Sequence, residues 1–84
     1  MNYPTQTDVP SQATSYNGWI NWETWNVALW IGNEEQIYRS VRHLDTYQEA
    51  LPILQSFGLT TPDGCDWDDP ELDIDELNEM MEEL

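Results

Sequence analysis

The residues of this chain that could do chemistry are carboxylates. Among 84 residues, 17 Asp and Glu stand against two arginines, with no lysine, for a net charge of −15. Eleven of the acids fall within residues 63–84, with no base among them: Asp63, Asp66, Asp68, Asp69, Glu71, Asp73, Asp75, Glu76, Glu79, Glu82 and Glu83. Such a run can ligate a cation, supply an acid–base pair, or present a charged surface. A calcium loop needs oxygen ligands at fixed offsets and a glycine at its sharp turn. Here Pro70 and Glu71 stand where a ligand and that glycine belong, so neither a metal site nor any other cofactor is expected. Catalysis finds no support in the remaining groups. His43 is the only histidine and lies between Arg42 and Leu44, and Cys65 is embedded in acid, whose field raises a thiol's pKa rather than activating it. With no Gly-rich phosphate loop either, the sequence points away from an enzyme.

The third possibility, a charged surface, is the one the spacing favours. If residues 74–84 are helical, Asp75, Glu76, Glu79, Glu82 and Glu83 fall within an arc of about 120°, opposite Ile74, Leu77, Met80, Met81 and Leu84. Five charges over eight steps of about 1.5 Å is one per about 2.4 Å. Duplex DNA carries one per about 1.7 Å of axis and a single strand one per about 3.4 Å. The helix face therefore has the linear charge density of nucleic acid. It also works against its own fold, because Asp75 with Glu79 and Glu79 with Glu83 are like-charge i,i+4 pairs, each costing about 0.2–0.5 kcal/mol. A plain solubilising acidic helix is the simpler reading, but such helices usually interleave lysines, and this chain has none.

The elements that must hold this face follow from periodicity and capping. The spacing predicts a helix over about 22–31, with Asn21 as N-cap, Glu23 in the first turn and Gly32 just beyond the end. Trp22, Trp25, Ala28 and Leu29 make one apolar side and Val27, Trp30 and Ile31 another, with Thr24 and Asn26 in the gaps. A helix apolar on two sides must be covered on both, by its own domain or by a partner. Asn33 with Gln36 predicts a second helix carrying Ile37, Tyr38, Val41 and Leu44, and Asp45 with Gln48 a third carrying Tyr47, Ala50, Leu51, Leu54 and Phe57. Pro52 is expected to kink or break that third helix near residue 51. Residues 59–70 carry turn chemistry. Asp73 as N-cap, with Glu76 at N3 and Leu72 stapled on Leu77, opens the last helix. No strand pattern competes, so the expected fold is all-α: a small domain of three or four helices over residues 19–84, behind a disordered tail over 1–18 rich in Thr, Ser, Gln and Pro.

Length and composition narrow the class further. A chain this short holds one core, and its single cysteine excludes an internal disulfide, so packing alone must stabilise it. No stretch approaches the length of a membrane span and the N-terminus lacks a secretory pattern, which places the protein in the cytoplasm as an expectation. The charge opposes direct contact with nucleic acid or an anionic membrane. The five tryptophans, Trp19, Trp22, Trp25, Trp30 and Trp67, read first as core for an undersized domain, with some left over as contact anchors. Arg39 and Arg42 are expected to stack on an indole or pair with carboxylates.

Residues 16–34, Tyr-Asn-Gly-Trp-Ile-Asn-Trp-Glu-Thr-Trp-Asn-Val-Ala-Leu-Trp-Ile-Gly-Asn-Glu, resemble a family of short proteins of unknown function encoded by bacteriophages and some bacteria. The shared feature is an N-[WY]-E/A-T-W-N-V-x-L-W-[IL]-x-N signature. The resemblance implies a phage or mobile-element setting and carries no activity with it, and the signature does not reach the acidic half. Together these readings describe an acidic phage-type protein that covers a basic, nucleic-acid-binding surface of a host protein. Its contacts are expected from Asp66, Asp68, Asp69, Glu71, Asp75, Glu76, Glu79, Glu82 and Glu83, with Trp30 and Trp67, and Trp19 beside them, as apolar anchors. The alternative is a helix-in-groove adaptor that docks its Trp-rich helix or the Met80–Met81 stripe while the acid serves solubility.

Overall fold

The computed structural model describes residues 16–84 and has four helices: α1 (Trp22–Asn33), α2 (Glu35–Val41), α3 (Tyr47–Ser56) and α4 (Ile74–Glu82). The only strand-like pairings among the described residues are two isolated bridges, Tyr16 with Trp19 and Thr60 with Asp66. α1 packs on α2 and α4, and α3 packs on the same two, with no close backbone approach across either diagonal. The helices thus close a four-membered ring. Its interior holds Val27, Ala28 and Ile31 of α1, Ile37 and Val41 of α2, Tyr47, Ala50 and Leu54 of α3, and Leu77 and Met81 of α4. The two-sided apolar character of α1 has its explanation here, because the helix is covered by neighbouring helices and also by the segment that joins α3 to α4.

Two helix starts fall one residue later than the sequence pattern suggests, and α1 overruns its expected end. α1 continues through Gly32 to Asn33, whose side-chain Nδ2 donates back to the Leu29 carbonyl at 2.9 Å. That use of its side chain removes Asn33 as a cap. Glu34 takes over: its backbone leaves the helical region, its N–H still donates to Trp30, and its carboxylate accepts from Gln36 N and Ile37 N at 3.0 and 3.2 Å. Likewise Thr46 rather than Asp45 caps α3, accepting from Glu49 N, while Glu49 returns a carboxylate oxygen to Asp45 N at 3.1 Å. The reciprocal exchange is a capping box displaced by one position.

Pro52 neither breaks nor ends α3, which runs unbroken from Tyr47 to Ser56. Pro52 is exposed, as is Gln48, whose carbonyl it deprives of a donor, so the missing bond falls on the solvent side of the helix. The start of α4 is as the sequence suggests, with Asp73 accepting from Glu76 N at 3.0 Å and Leu72 and Leu77 both buried.

Of the expected tail, residues 1–15 lie outside the described part. Tyr16, Asn17 and Gly18 instead form a tight turn with Trp19. Asn17 and Gly18 have φ of 51° and 91°, the paired positive angles of a type I′ turn, and Trp19 N donates to Tyr16 O at 2.8 Å. The Tyr16 ring then lies against Trp25, with centroids 4.8 Å apart.

Candidate binding surface

The segment over residues 57–73 carries much of the acid, and its placement depends on polar side chains of α1. Asn26, fully buried, donates from Nδ2 to Asp63 Oδ2 at 2.8 Å and accepts on Oδ1 from the Thr61 hydroxyl at 2.6 Å. Trp30 Nε1 donates to the same Asp63 oxygen at 2.9 Å. Thr61 Oγ1 also accepts from the backbone N–H groups of Asp63 and Cys65, so a turn is wound around one hydroxyl. Further along, Thr24 Oγ1 accepts from Asp73 N at 2.9 Å and Asn21 Nδ2 donates to the Glu71 carbonyl at 2.7 Å. Thr24 and Asn26, which the helical wheel left between two apolar sides, are therefore the buried polar anchors of the acidic segment. Sequence reasoning missed this role. The signal available was two small polar residues inside an otherwise apolar helix, since buried polar groups require partners.

α4 is held by its apolar stripe, with Leu77 fully buried and Met81 nearly so. This fixes its opposite face outward, where Asp75, Glu79, Glu82 and Glu83 are exposed, joined by Asp66, Asp68 and Glu71 from the preceding segment. Not every expected carboxylate is free for a partner. Glu76 is half-buried and accepts from Ile20 N at 3.1 Å, tying α4 to the turn before α1, and Asp69 Oδ1 accepts from Glu71 N at 2.7 Å. The two arginines do not neutralise this surface. Arg39 pairs with Glu35 within α2, and Arg42 lies over the Tyr38 ring, 5.7 Å from its centroid.

The expected aromatic anchors divide. Trp67 is 1% exposed and cannot meet a partner; its position puts it in the core, and the Tyr47 hydroxyl donates to its carbonyl. A flanking Asp on each side disguised it in sequence as a surface residue. Its own Nε1 is buried with no acceptor. Trp30 is only partly buried, but its indole N–H is committed to Asp63. Trp19 is partly buried and lines a groove with α4. Among the described residues, the large apolar side chains that are exposed are Tyr16, Ile20, Phe57 and Leu59.

The titratable groups behave as their surroundings dictate. Hydrogen bonds from Asn26 and then Trp30 hold the Asp63 carboxyl below its ordinary value. Cys65 is buried, and burial first, then the charges of Asp69, Glu23 and Asp66, push its thiol up to about 11. The acidic field acts in the direction its sequence neighbours imply, with burial as the larger cause. Tyr47 is raised too, chiefly by burial. His43 is exposed, and no three His, Cys, Asp or Glu side chains converge into a metal-holding group among the described residues. No helix among them is long and apolar enough to cross a membrane.

An all-helical domain whose first helix anchors its own acidic segment is the class these features define. Residues 12–84 match the model of a family of unknown function, DUF7249, and the chain belongs to that family. The matched region takes in the acidic half as well as residues 16–34. No curated protein and no solved structure matches the chain.

Proposed function

We propose that this chain is a small, non-catalytic acidic protein, of phage or mobile-element origin, that covers the basic nucleic-acid-binding surface of a host cytoplasmic protein and blocks it. The observation that carries this reading is the packing of α4. Leu77 and Met81 lock the helix into the core, so Asp75, Glu79, Glu82 and Glu83 are held outward with no cation beside them. A fixed row of charge at roughly phosphate spacing attracts Lys and Arg at long range and pairs with them at contact. The same packing leaves the alternative helix-in-groove adaptor less to dock, because Met81, Val27 and Ile31 are buried, although Met80 and the tryptophans of α1 are half-buried.

The test is capture from host lysate at low and high ionic strength, followed by nucleic-acid binding by the captured protein. Capture is expected to fall steeply with salt, to be lost on combined Asp75→Asn, Glu79→Gln, Glu82→Gln and Glu83→Gln, and to suppress nucleic-acid binding by the captured protein. Capture indifferent to salt and to those four substitutions overturns the proposal.

A further inference from the structure

Between the Tyr16–Trp19 turn and α4 lies a groove of about 200 Å³, lined by Gly18 and Trp19 on one side and by Glu76, Glu79, Met80 and Glu83 on the other. The helix residues are spaced i, i+3, i+4 and i+7, a single stripe of α4 facing the turn. The acidic arc of this helix is thus not uniform. Glu76, Glu79 and Glu83 border a concave site with an indole in its wall, whereas Asp75 and Glu82 lie farther round the helix.

We propose that this groove is a subsite for an arginine side chain of the basic partner; the inference rests on the reading above and adds the residue type that is recognised. A tryptophan ring attracts a cation over its face, and guanidinium is planar, weakly hydrated and able to stack on an indole while its edge meets a carboxylate. The groove supplies both parts. Trp19 gives the aromatic surface and Met80 a polarisable neighbour, with Glu79 and Glu83 as acceptors. Glu76 is already oriented by its bond from Ile20 N at 3.1 Å, a contact that also joins the two walls. A compact metal ion does not suit the site, since its carboxylates form no metal-holding group among the described residues. A second copy of the chain does not suit it either. Each copy carries −15, and its two arginines are engaged along α2.

The experiment titrates the full chain with hexa-arginine and, separately, hexa-lysine at low salt, following the Trp19 indole N–H resonance and the affinity of each peptide. Hexa-arginine is expected to bind more tightly, by about threefold or more, and to shift the Trp19 signal. Trp19→Leu is expected to abolish the preference for arginine while leaving the weaker, charge-driven binding of both peptides. Glu79→Gln with Glu83→Gln leaves the indole in place and relieves a repulsive pair, so it tests the site where the tryptophan variant misfolds. It is expected to weaken hexa-arginine more than Asp66→Asn with Asp68→Asn, which removes equal charge elsewhere. Equal affinities for the two peptides, or losses that depend only on the number of charges removed, overturn the groove while leaving the broader reading standing. Failure of both peptides to bind at low salt overturns the groove and withdraws the charge argument beneath that reading as well.

Discussion

Asn26 and Asp63, 37 positions apart in sequence, are joined by a hydrogen bond of 2.8 Å from a fully buried amide to a carboxylate at the surface. Trp30 donates to the same oxygen, so two residues one helical turn apart on α1 grip one acid of the segment before α4. The contact explains why a helix so apolar keeps an asparagine in its middle. It also gives one of the seventeen acids a fixed structural role, which separates it from those that face solvent.

Asn26→Ala removes the donor to Asp63 and the acceptor of the Thr61 hydroxyl together, leaving a buried hydroxyl proton without its acceptor. The expected cost is about 2 kcal/mol, read as a lowered midpoint in urea unfolding. Asp63→Ala takes the acceptor from the buried Asn26 amide and from the Trp30 indole N–H, and should cost a similar amount. If the two variants unfold together with the parent, the network contributes nothing to stability.

Acid should loosen this anchor. The folded-state pKa of Asp63 lies below its unfolded value, so its stabilising contribution is complete above the unfolded carboxylate value of about 3.9 and is lost as pH falls through the lower folded value. Unfolding midpoints of the parent and of Asp63→Ala should therefore differ near neutrality and converge in strong acid. A difference that persists or grows in acid contradicts the assignment of the shift to bonds with the ionised carboxylate.

How much of this was legible beforehand depends on the range of the interaction. The helices, the cap at Asp73 and the buried stripe of α4 are local patterns, written within a few neighbouring residues, and the sequence reading finds them. Shifts of one position at Glu34 and Thr46 arise because a neighbouring side chain is spent elsewhere, as Asn33 is on the Leu29 carbonyl. The roles of Asn26, Thr24 and Trp67 depend on partners 20 or more positions distant, and no local period encodes such a pairing. Trp67 illustrates the consequence. Its acidic neighbours point it outward on composition, yet the segment folds back over α1 and takes the indole into the core.

Trp67 also bears a testable imperfection, a buried Nε1 with no acceptor. Trp67→Phe deletes that unpaired donor along with part of the ring, so the lost apolar contact is partly offset. It should cost well under the about 3–5 kcal/mol expected for Trp67→Ala, which opens a large cavity. Thermal unfolding of the two variants settles the order. Equal losses would mean that the phenyl ring recovers none of the packing of the indole, since both variants delete the N–H alike.

Cys65 should be chemically silent in the folded protein. Its thiol is buried and pushed up to about 11, so the thiolate fraction near neutral pH is very small. Alkylation by iodoacetamide at pH about 8 is expected to be slowed in proportion to the small population in which the segment is open, and to be quick in denaturant. Because the folded pKa is the higher one, stability is unaffected below the unfolded thiol value and declines only as pH rises toward the folded value. Rapid labelling without denaturant would show that the segment opens far more often than its hydrogen bonds to α1 imply.

The acidic face of α4 makes opposite predictions for stability and for binding. Glu83 follows Glu79 at i,i+4 and lies at the C-terminal end of α4, where the helix dipole disfavours negative charge. Glu83→Lys converts the repulsive pair into an attractive one and places a cation at the favourable end of the dipole, for an expected gain of about 0.5–1.5 kcal/mol at low ionic strength. Salt should erode that gain, because both contributions come from exposed charges. The same substitution removes one of the acids bordering the groove and adds a repulsive cation there, so capture of a basic partner or of hexa-arginine should weaken while the fold tightens. Denaturation midpoints and binding isotherms for Glu83→Lys, each at two salt concentrations, test the pair of outcomes. A variant that is more stable and binds undiminished would show that the negative charge at this position serves neither the fold nor the partner.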